Sequence, residues 1–325
     1  MRVLACPASL KGVLSATAAA QALVAGFLEG GADARALPVA DGGEGTADVL
    51  RAALGGEWRV ARVSDAFGAA RDARWLQLPD GTAAIESAAA VPLDPRRLDP
   101  IAASSRGFGE LILEALAEHP ASLLLCLGGT ATMDGGAGLR QVLGGLPVPA
   151  QALVDVRSRL LEAPSVFGPQ KGASSGDILE LERRLSADVE LMPFAETAGS
   201  GAAGGLGAAL AALGAELVPG APYVLETIRL SEHLAGADLV VTGEGTVDAS
   251  TAAGKAPAAV AAAARAAGVR CVVFGGRVFE PLGEFETVAL SGEPARAGAD
   301  LRELAALLCG AELEGERLEE LPRDG

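Results

Sequence analysis

Short apolar runs alternate with helix-length segments along most of the chain, and this alternation predicts an α/β protein. Residues 3–7 form the first apolar run, and residues 15–30 have the length of a helix with Ser15 as its N-cap. A second apolar run at residues 34–40 leads into the string DGGEGT and then into a helix that ends near Leu54. The same order returns in the last third of the chain, so we expect parallel strands joined by helices.

The pattern changes after residue 56, where three short strands follow one another without helices. Proline, aspartate and glycine at residues 79–81 are typical of a tight turn between two of these strands. We therefore predict an inserted second domain with mixed or antiparallel strands, within a discontinuous first domain. The predicted first domain comprises residues 1–56, 105–145 and 232–325, and the predicted inserted domain comprises residues 57–104 and 146–231.

The composition argues against several classes of function. Half of the residues are apolar and 21% are charged, which allows a large core and excludes a disordered chain. The net charge of −16 argues against nucleic acid or an anionic membrane surface as a partner. The two histidines, His119 and His233, are far apart, which argues against a histidine-ligated zinc site and a Ser-His-Asp triad. We expect a cytoplasmic protein with small-molecule ligands, and a homodimer is one candidate assembly.

Lysine is rare in this chain, since only three of its 26 basic residues are lysines. Each of the three, Lys11, Lys171 and Lys255, has a glycine beside it. An ammonium group close to open backbone suits phosphate binding as a point charge. The alternative is that all three are ordinary surface lysines.

Three apolar strands end in loops that mix glycine with carboxylates or hydroxyls, at residues 41–46, 128–138 and 243–248. Ligands of α/β proteins bind at the carboxyl ends of the strands, and glycines let backbone N–H groups approach phosphate oxygens. We expect the three loops on one sheet. Helix N-capping is the alternative role for Asp41 and Asp134. The glycine-rich and lysine-bearing segments add these candidate ligand contacts: Thr46, Gly128, Gly129, Thr132, Gly204, Gly205 and Lys255.

The loops offer hard oxygen donors but match no common nucleotide-binding template. Neither GxxxxGK[ST] nor an early GxGxxG occurs. Hydroxyl and carboxylate oxygens suit Mg²⁺ carried on nucleotide phosphates. The carboxylates available for metal binding or for deprotonating a hydroxyl are Asp41, Glu44, Glu86, Asp134, Glu244 and Asp248. The residues therefore predict an enzyme that acts on a phosphorylated nucleotide or a small phosphate ester, with Mg²⁺.

Six segments, taken in order, resemble the bacterial class I glycerate kinase family. They are PASLKG at residues 7–12, LPVADGGEGT at 37–46, GGTATMDGGAG at 128–138, FGPQKG at 167–172, GSGAAGGLG at 199–207 and GADLVVTGE at 236–244. The resemblance implies phosphorylation of D-glycerate to 2- or 3-phosphoglycerate, with ATP and Mg²⁺, in a cleft between two domains. It implies a flavodoxin-like parallel sheet in one domain and a restriction-endonuclease-like fold in the inserted domain.

The resemblance also implies active-site positions, and for these residues we add hypotheses about their individual roles. Asp41 or Asp134 would activate the glycerate hydroxyl, and Lys11, with a catalytic role, and Lys171 would hold phosphates or the glycerate carboxylate. Glu244 and Asp248 would bind Mg²⁺ directly or through water. The matching positions further imply substrate or nucleotide contacts for Gly42, Gly43, Glu44 and Thr130.

Several polar residues usual in that family are replaced here. Ala8 stands for an aspartate, Met133 for an asparagine and Thr246 for an arginine. Further replacements are Arg157 and Ser158 for an Asp-Asn pair and Ser250 for a glutamine, and a segment usual in the family is absent near residues 147–152. Two alternatives therefore remain beside glycerate phosphorylation. They are a kinase of another small hydroxy acid and a homologue that has lost catalysis and acts by binding or regulation.

Overall fold

The computed structural model describes residues 1–252 and 254–314, with side chains up to residue 310. Ala253 and residues 315–325, which end the predicted first domain, lie outside the described residues. The chain forms two compact units. The first unit comprises residues 1–41, 48–53 and the chain from 224 onward, and the second unit comprises residues 42–47 and 54–223.

The strands and helices follow one another in an α/β order. The strands are β1 (Arg2–Pro7), β2 (Asp33–Ala36), β3 (Glu57–Ser64), β4 (Ala70–Gln77), β5 (Thr82–Glu86), β6 (Ser122–Cys126), β7 (Ala150–Val154), β8 (Glu216–Pro219), β9 (Leu239–Val247), β10 (Arg270–Val278) and β11 (Glu286–Ala289). The helices are α1 (Ala16–Glu29), α2 (Thr46–Leu54), α3 (Ser87–Ala90), α4 (Arg106–Ala117), α5 (Ala137–Val142), α6 (Ala163–Phe167), α7 (Ser175–Ser186), α8 (Ala202–Ala212), α9 (Gly220–Thr227), α10 (Leu230–Leu234), α11 (Ala249–Ala252), α12 (Ala256–Ala266) and α13 (Ala297–Glu314).

The first unit is built on a parallel sheet with the strand order β11-β10-β9-β1-β2. Counted along this unit, that order is 2-1-3-4-5, which is the order of flavodoxin-like sheets. Alternate residues of the strands, such as Val3 and Val241, join a core that α1 and α13 cover. Helix α12 packs on β9 and β10 with buried residues such as Val260, which lie outside that core cluster. Helices therefore cover both faces of the sheet, which explains its continuous apolar strands.

Helix α1 shows how local sequence starts an element. Ser15 has extended backbone, and its side chain accepts a hydrogen bond from the backbone N–H of Ala18 at 3.1 Å. Such an N-cap stabilises a helix by about 1 kcal/mol. The apolar face with Leu23 and Phe27 is fully buried in the core, and the helix ends at Gly30. The predicted helix at residues 15–30 is thereby confirmed.

The second unit is built on a mixed sheet with the strand order β3-β4-β5-β6-β7-β8. Strands β3, β4 and β5 pair antiparallel, as their sequence predicts, with the turn at residues 79–81 between β4 and β5. From β5 to β8 the pairing is parallel. Ile85, Phe108 and Leu125 are fully buried in the core of this unit. The predicted α/β class with mixed sheets is confirmed, whereas the restriction-endonuclease-like detail stays a prediction.

The structure corrects the expected place of residues 105–145. From their sequence we expect these residues in the parallel domain, but β6 lies between β5 and β7 in the sheet of the second unit. The apolar run of β6 fits any buried parallel strand, so its sequence does not show which sheet it joins. Strand β7 was also missed, because it directly follows the prolines at residues 147 and 149.

Candidate active site

The carboxyl ends of the strands in the first unit border a cleft of about 320 Å³. Its lining includes Lys11 in the turn after β1, Glu244 and Thr246 near the end of β9, and Lys255 at the start of α12. In this strand order the chain reverses direction across the sheet between β1 and β9, and ligands of such sheets bind at that switch point. The cleft therefore lies where the strand order alone places a ligand.

Glu244 is a largely enclosed carboxylate of this cleft, with 12% of its side chain exposed. Its Oε1 accepts a hydrogen bond from Oγ1 of Thr251 at 2.7 Å, and its Oε2 lies 3.5 Å from Nζ of Lys255. Burial raises the pKa of Glu244 above its usual value, while Thr251 and Lys255 act against the rise. The negative charge of Asp41 adds to it. These residues form one electrostatic group.

Asp41 reaches this group through the segment that follows β2. The backbone N–H of Leu37 donates to the carbonyl of Ala5 at 2.8 Å, and that of Val39 donates to the carbonyl of Pro7 at 3.0 Å. These bonds keep the segment beside β1 after β2 has ended. They bring the half-buried Asp41 to the carboxyl end of the sheet, as predicted from the loop sequence.

Asp248, the other predicted metal ligand, follows β9 directly. Its Oδ1 accepts hydrogen bonds from the backbone N–H of Ser250, at 2.8 Å, and from the Ser250 hydroxyl. The Ser250 bonds lower the pKa of Asp248. Its backbone N–H donates to Oγ1 of Thr251 at 3.2 Å, the same hydroxyl that donates to Glu244. In the described part of the chain, no group of three or more histidine, cysteine, aspartate or glutamate side chains could hold a metal ion.

The lysines of the first unit both face this cleft. Lys11 is exposed and forms no hydrogen bond or ion pair with another described residue. Lys255 is the N-cap residue of α12, and no side chain caps that helix. The positive end of α12 and two ammonium groups therefore border the same cleft, which favours an anionic ligand.

Lys171, the lysine of the second unit, is buried rather than exposed to a ligand. Only 4% of the residue is accessible, and its Nζ donates to the carbonyl of Thr132 at 2.8 Å and to Oγ1 of Thr130 at 3.4 Å. Burial lowers the pKa of Lys171 to about 7, against the opposing charge of Asp134. The ammonium group holds the loop at residues 128–138, and the expected phosphate contact of Lys171 stays a prediction.

Asp134 is likewise occupied by the protein itself. Its Oδ2 accepts from the backbone N–H and the hydroxyl of Ser105, at 2.8 and 2.9 Å, and from the backbone N–H of Gly138 at 3.1 Å. Its Oδ1 accepts from the backbone N–H of Gly136 at 3.1 Å. These four hydrogen bonds occupy both carboxylate oxygens of Asp134. This geometry favours the alternative role of Asp134, which is to hold the start of α5, over hydroxyl activation.

The glycines of the second unit make close backbone approaches. A Cβ added to Gly128 would lie 3.2 Å from Cα of Gly43, and one added to Gly129 would lie 2.9 Å from Oε2 of Glu44. Gly42 has φ +94° and would place a Cβ 2.8 Å from Cβ of Leu153. The loops at residues 42–46 and 128–129 are thus packed together, and the exposed Glu44 lies over Gly129.

The remaining predicted residues of the second unit differ in what they contact. Thr46 is fully buried, and its Oγ1 has no hydrogen-bond partner among the described residues. Thr132 is buried and donates to the carbonyl of Ala203 at 3.5 Å. Gly204 and Gly205 have φ +74° and +93°, and a Cβ on Gly204 would lie 2.1 Å from the carbonyl oxygen of Thr132. These glycines therefore allow α8 to pack on the loop at residues 128–138, and their expected ligand contact stays a prediction.

The three predicted loops do not lie on one sheet. Residues 41–46 follow β2 of the parallel sheet, and residues 128–138 follow β6 of the mixed sheet. Residues 243–247 belong to β9 itself, which is five residues longer than the apolar run at residues 239–242 predicts. Pairing with the extended β10 keeps these residues in strand conformation, with Thr246 beside Arg277.

Comparison with known proteins agrees with the sequence motifs. The chain matches a family model described as the glycerate kinase family, over residues 3–151 and 147–292. The chain belongs to this family. It is 39% identical to the glycerate 2-kinase of Escherichia coli K12 over 82% of each chain, and 38% identical to the glycerate kinase of Bacillus subtilis 168 over 86% of this chain and 85% of the relative.

A solved structure extends the similarity to three dimensions. It is a crystal structure assigned to glycerate kinase 2 of Salmonella typhimurium LT2, with a TM-score of 0.79 and 32% identity, and the match covers 97% of this chain and 99% of the other. The predicted membership of the glycerate kinase family, and with it the class of enzyme, is confirmed. No described helix has the length and apolar character needed to span a membrane.

Several positions at which this glycerate kinase family member departs from the family motifs have internal structural roles. Met133 is 1% exposed and packs in a small core cluster with Ala163 and Leu181. The backbone N–H of Ala8 donates to the carbonyl of Gly243 at 2.8 Å, which fixes the turn after β1. Ser250 orients Asp248. The Oγ of Ser158 is buried without a hydrogen-bond partner among the described residues, and nothing in the structure explains this replacement.

Sequence reasoning missed three residues of these sites. Thr251 links Glu244 to Asp248, and Ser105 binds Asp134, but hydroxyl residues in helical segments give no signal of their own. Arg277 lines the cleft of the first unit beside Thr246. The glycine pair at residues 275–276, which ends the apolar run before Arg277, is the signal that indicates an open strand end there.

Proposed function

We propose that this chain transfers the γ-phosphoryl group of ATP to a hydroxyl of D-glycerate. The observation that supports this most directly is one cleft in the first unit that Glu244, Lys11 and Lys255 line, together with Asp41, whose charge acts on Glu244. Phosphoryl transfer needs positioned cations on the phosphates and a carboxylate at the acceptor hydroxyl. The glycerate kinases among the relatives support D-glycerate as the acceptor.

In the proposed reaction, Asp41 accepts the proton of the glycerate hydroxyl. The hydroxyl oxygen then forms a bond to the γ-phosphorus, while the bond from that phosphorus to the β,γ-bridging oxygen breaks and ADP leaves. Lys11 and Lys255 balance the negative charge of the phosphates during transfer. We assign the base role to Asp41 and not to Asp134, because four hydrogen bonds from Ser105, Gly136 and Gly138 occupy both carboxylate oxygens of Asp134.

The proposal includes Mg²⁺, whose expected ligands are Glu244 and Asp248. Their oxygen donors suit this ion, since nucleotide-bound Mg²⁺ usually takes one or two protein carboxylates and completes its shell with phosphate and water oxygens. When bound, Mg²⁺ neutralises charge that develops on the transferred phosphoryl group. In the protein itself, Thr251 holds Glu244 and Ser250 holds Asp248 in fixed orientations.

In the second unit, the charged side chains of Lys171 and Asp134 hold the loop at residues 128–138 in place. Glu44 is an exposed carboxylate near Gly129. We propose that backbone groups of Gly42, Gly43, Gly128 and Gly129, together with Glu44 and Thr46, contact substrate. The cleft between two domains that the resemblance implies stays a prediction.

We propose the 2-hydroxyl of D-glycerate as the acceptor, on the ground that the relative from E. coli is named a glycerate 2-kinase. The test is turnover of purified protein with Mg-ATP and D-glycerate, followed as ADP release, with the product identified by phosphorus NMR. We expect 2-phosphoglycerate. A 3-phosphoglycerate product would reject the 2-hydroxyl and keep the kinase. ATP binding without turnover would instead favour another hydroxy acid, and neither turnover nor binding would favour a homologue without catalysis.

A further inference from the structure

The cleft of the first unit contains an arginine and an apolar surface in addition to the lysines expected of a phosphate site. We infer that it binds a whole nucleoside triphosphate, with Arg277 and Lys11 on the phosphates and the base against an apolar wall of Leu290, Pro294 and Ala297. The inference rests on the proposed kinase function and assigns its nucleotide site. Arg277 and the apolar wall are the new elements.

The floor of the cleft consists of glycines where the strands end. Gly245, Gly276 and Gly292 all line it, on β9, on β10 and after β11. A Cβ on Gly245 would lie 3.5 Å from Cα of Leu10, and one on Gly276 would lie 2.7 Å from the carbonyl oxygen of Gly245. These glycines therefore let the strand ends and the turn after β1 approach one another closely, and they add no side chain to the cleft that they line.

Two cations of the cleft are available to an anion. Arg277 is exposed, and its side chain, like that of Lys11, forms no hydrogen bond or ion pair with another described residue. Nζ of Lys255 forms an ion pair with Oε2 of Glu244 at 3.5 Å. Arg277 lies beside Thr246 in the register of β9 and β10, so its guanidinium group is carried by the strand next to the switch point. A guanidinium group binds two phosphate oxygens at once, which an ammonium group does not.

The carboxylates of Asp300 and Glu293 do not neutralise the positive charge of Arg277 and Lys11. Asp300 is 1% exposed and already accepts hydrogen bonds from Ser291, and its Oδ1 lies 3.2 Å from Nε of Arg296. Its charge is therefore balanced inside the protein. Glu293 is exposed at the rim, where a carboxylate can accept hydrogen bonds from sugar hydroxyls.

Part of the cleft lining is apolar. Leu290 and Ala297 are 7% and 5% exposed, and Pro294 lies between them in the chain. A small hydroxy acid such as glycerate is polar throughout and gains nothing from such a wall, whereas a nucleotide base buries an apolar face against it. The cleft volume of about 320 Å³ lies at the lower end of the range for small-molecule sites. A lining that combines cations with apolar groups therefore matches a nucleotide.

The test measures binding of ATP and of inorganic tripolyphosphate by calorimetry, without glycerate. Arg277→Gln should weaken both ligands about tenfold, since a charged hydrogen-bond donor is lost from the phosphates. Arg51→Gln, an exposed arginine of α2 outside the cleft, is the matched control and should change neither. Unchanged binding of both ligands by Arg277→Gln would overturn the inference.

Substitutions in the wall separate the base from the phosphates. Pro294→Gln, at an exposed position of the wall, should weaken ATP about tenfold and tripolyphosphate less than threefold, because it removes an apolar surface and adds no charge. Ala297→Val should act in the same direction, and thermal unfolding is measured beside binding because Ala297 also belongs to the core of the first unit. An equal loss of affinity for ATP and tripolyphosphate in both variants would contradict the assignment of the base to the apolar wall.

The same measurements keep this inference apart from the kinase proposal. Turnover of glycerate with an unchanged KM for ATP in Arg277→Gln would keep the kinase and overturn this nucleotide site. ATP binding that depends on Arg277, without turnover of glycerate, would keep the site and overturn glycerate as the acceptor.

Discussion

The two units of this protein carry similar loops but use them differently. Each has an apolar strand followed by glycines, a carboxylate and, further along the chain, a lysine. In the first unit Lys11 is exposed, and Glu244 has a pKa raised by burial. In the second unit Lys171 and Asp134 are engaged with backbone groups of their own loop. A glycine-rich loop with charged residues can therefore either contribute to a ligand site or be held in place by its own charged side chains. The hydrogen bonds of those side chains distinguish the two cases.

The largest expected effect tests the first unit. Asp41→Asn should lower kcat at least about 100-fold, because it removes the proposed proton acceptor. Thermal unfolding should change little. Asp33→Asn, at an exposed position of the same unit, is the control and should keep wild-type kcat. A loss below threefold in Asp41→Asn would remove Asp41 from this role.

The corresponding substitution in the second unit, Asp134→Asn, should lower stability more than activity. Asp134→Asn weakens the acceptor of three backbone N–H groups and the Ser105 hydroxyl, so we expect a loss of about 2–3 kcal/mol in the free energy of unfolding. The kcat of the folded protein should stay within about threefold of wild type. Glu114→Gln, on the exposed side of α4, should change stability by less than about 0.5 kcal/mol. A 100-fold loss of kcat with unchanged stability would reverse the comparison.

Stability should also depend on pH through Lys171. The unfolded chain keeps the lysine proton up to about pH 10, whereas the folded protein releases it near pH 7 because burial lowers the pKa of Lys171 to about 7. Between these values the unfolded state binds more protons, so stability contributed through this group rises with pH. Wild type should gain about 2 kcal/mol relative to Lys171→Met between about pH 7.5 and 9.5.

Urea unfolding of both proteins across that range gives the measurement. Lys171→Leu is a second variant without the charge and should behave as Lys171→Met does. Parallel pH profiles of wild type and both variants would show that Lys171 does not change protonation in this window.

The smallest expected effect concerns Glu244. The charge of Lys255 opposes the rise in the pKa of Glu244, so Lys255→Met should raise that pKa further. If the reaction needs ionised Glu244, the acid limb of the kcat profile moves to higher pH. Lys255→Arg keeps the charge and should keep the limb in place. A shift to lower pH, or the same shift in both variants, would contradict this coupling.

Local sequence predicted most elements because their signals are local. The apolar run of β1, the Ser15 cap of α1 and the turn at residues 79–81 each depend on a few neighbouring residues. The sheet membership of β6 does not depend on neighbouring residues in the sequence, because pairing with β5 and β7 determines it. The same limit applies to Arg277, which reaches the cleft through the register of β10 with β9.

The amino-acid sequence is sufficient to assign the family of this protein, its α/β class and its glycine-rich loops. Which charged groups lie open to a ligand depends on the folded chain. Lys11 and Lys171 each have a glycine beside them, yet Lys11 is exposed, whereas Nζ of Lys171 is buried and donates to the carbonyl of Thr132. Burial and long-range hydrogen bonds set the protonation and reach of a side chain, and neither is encoded in its immediate neighbours.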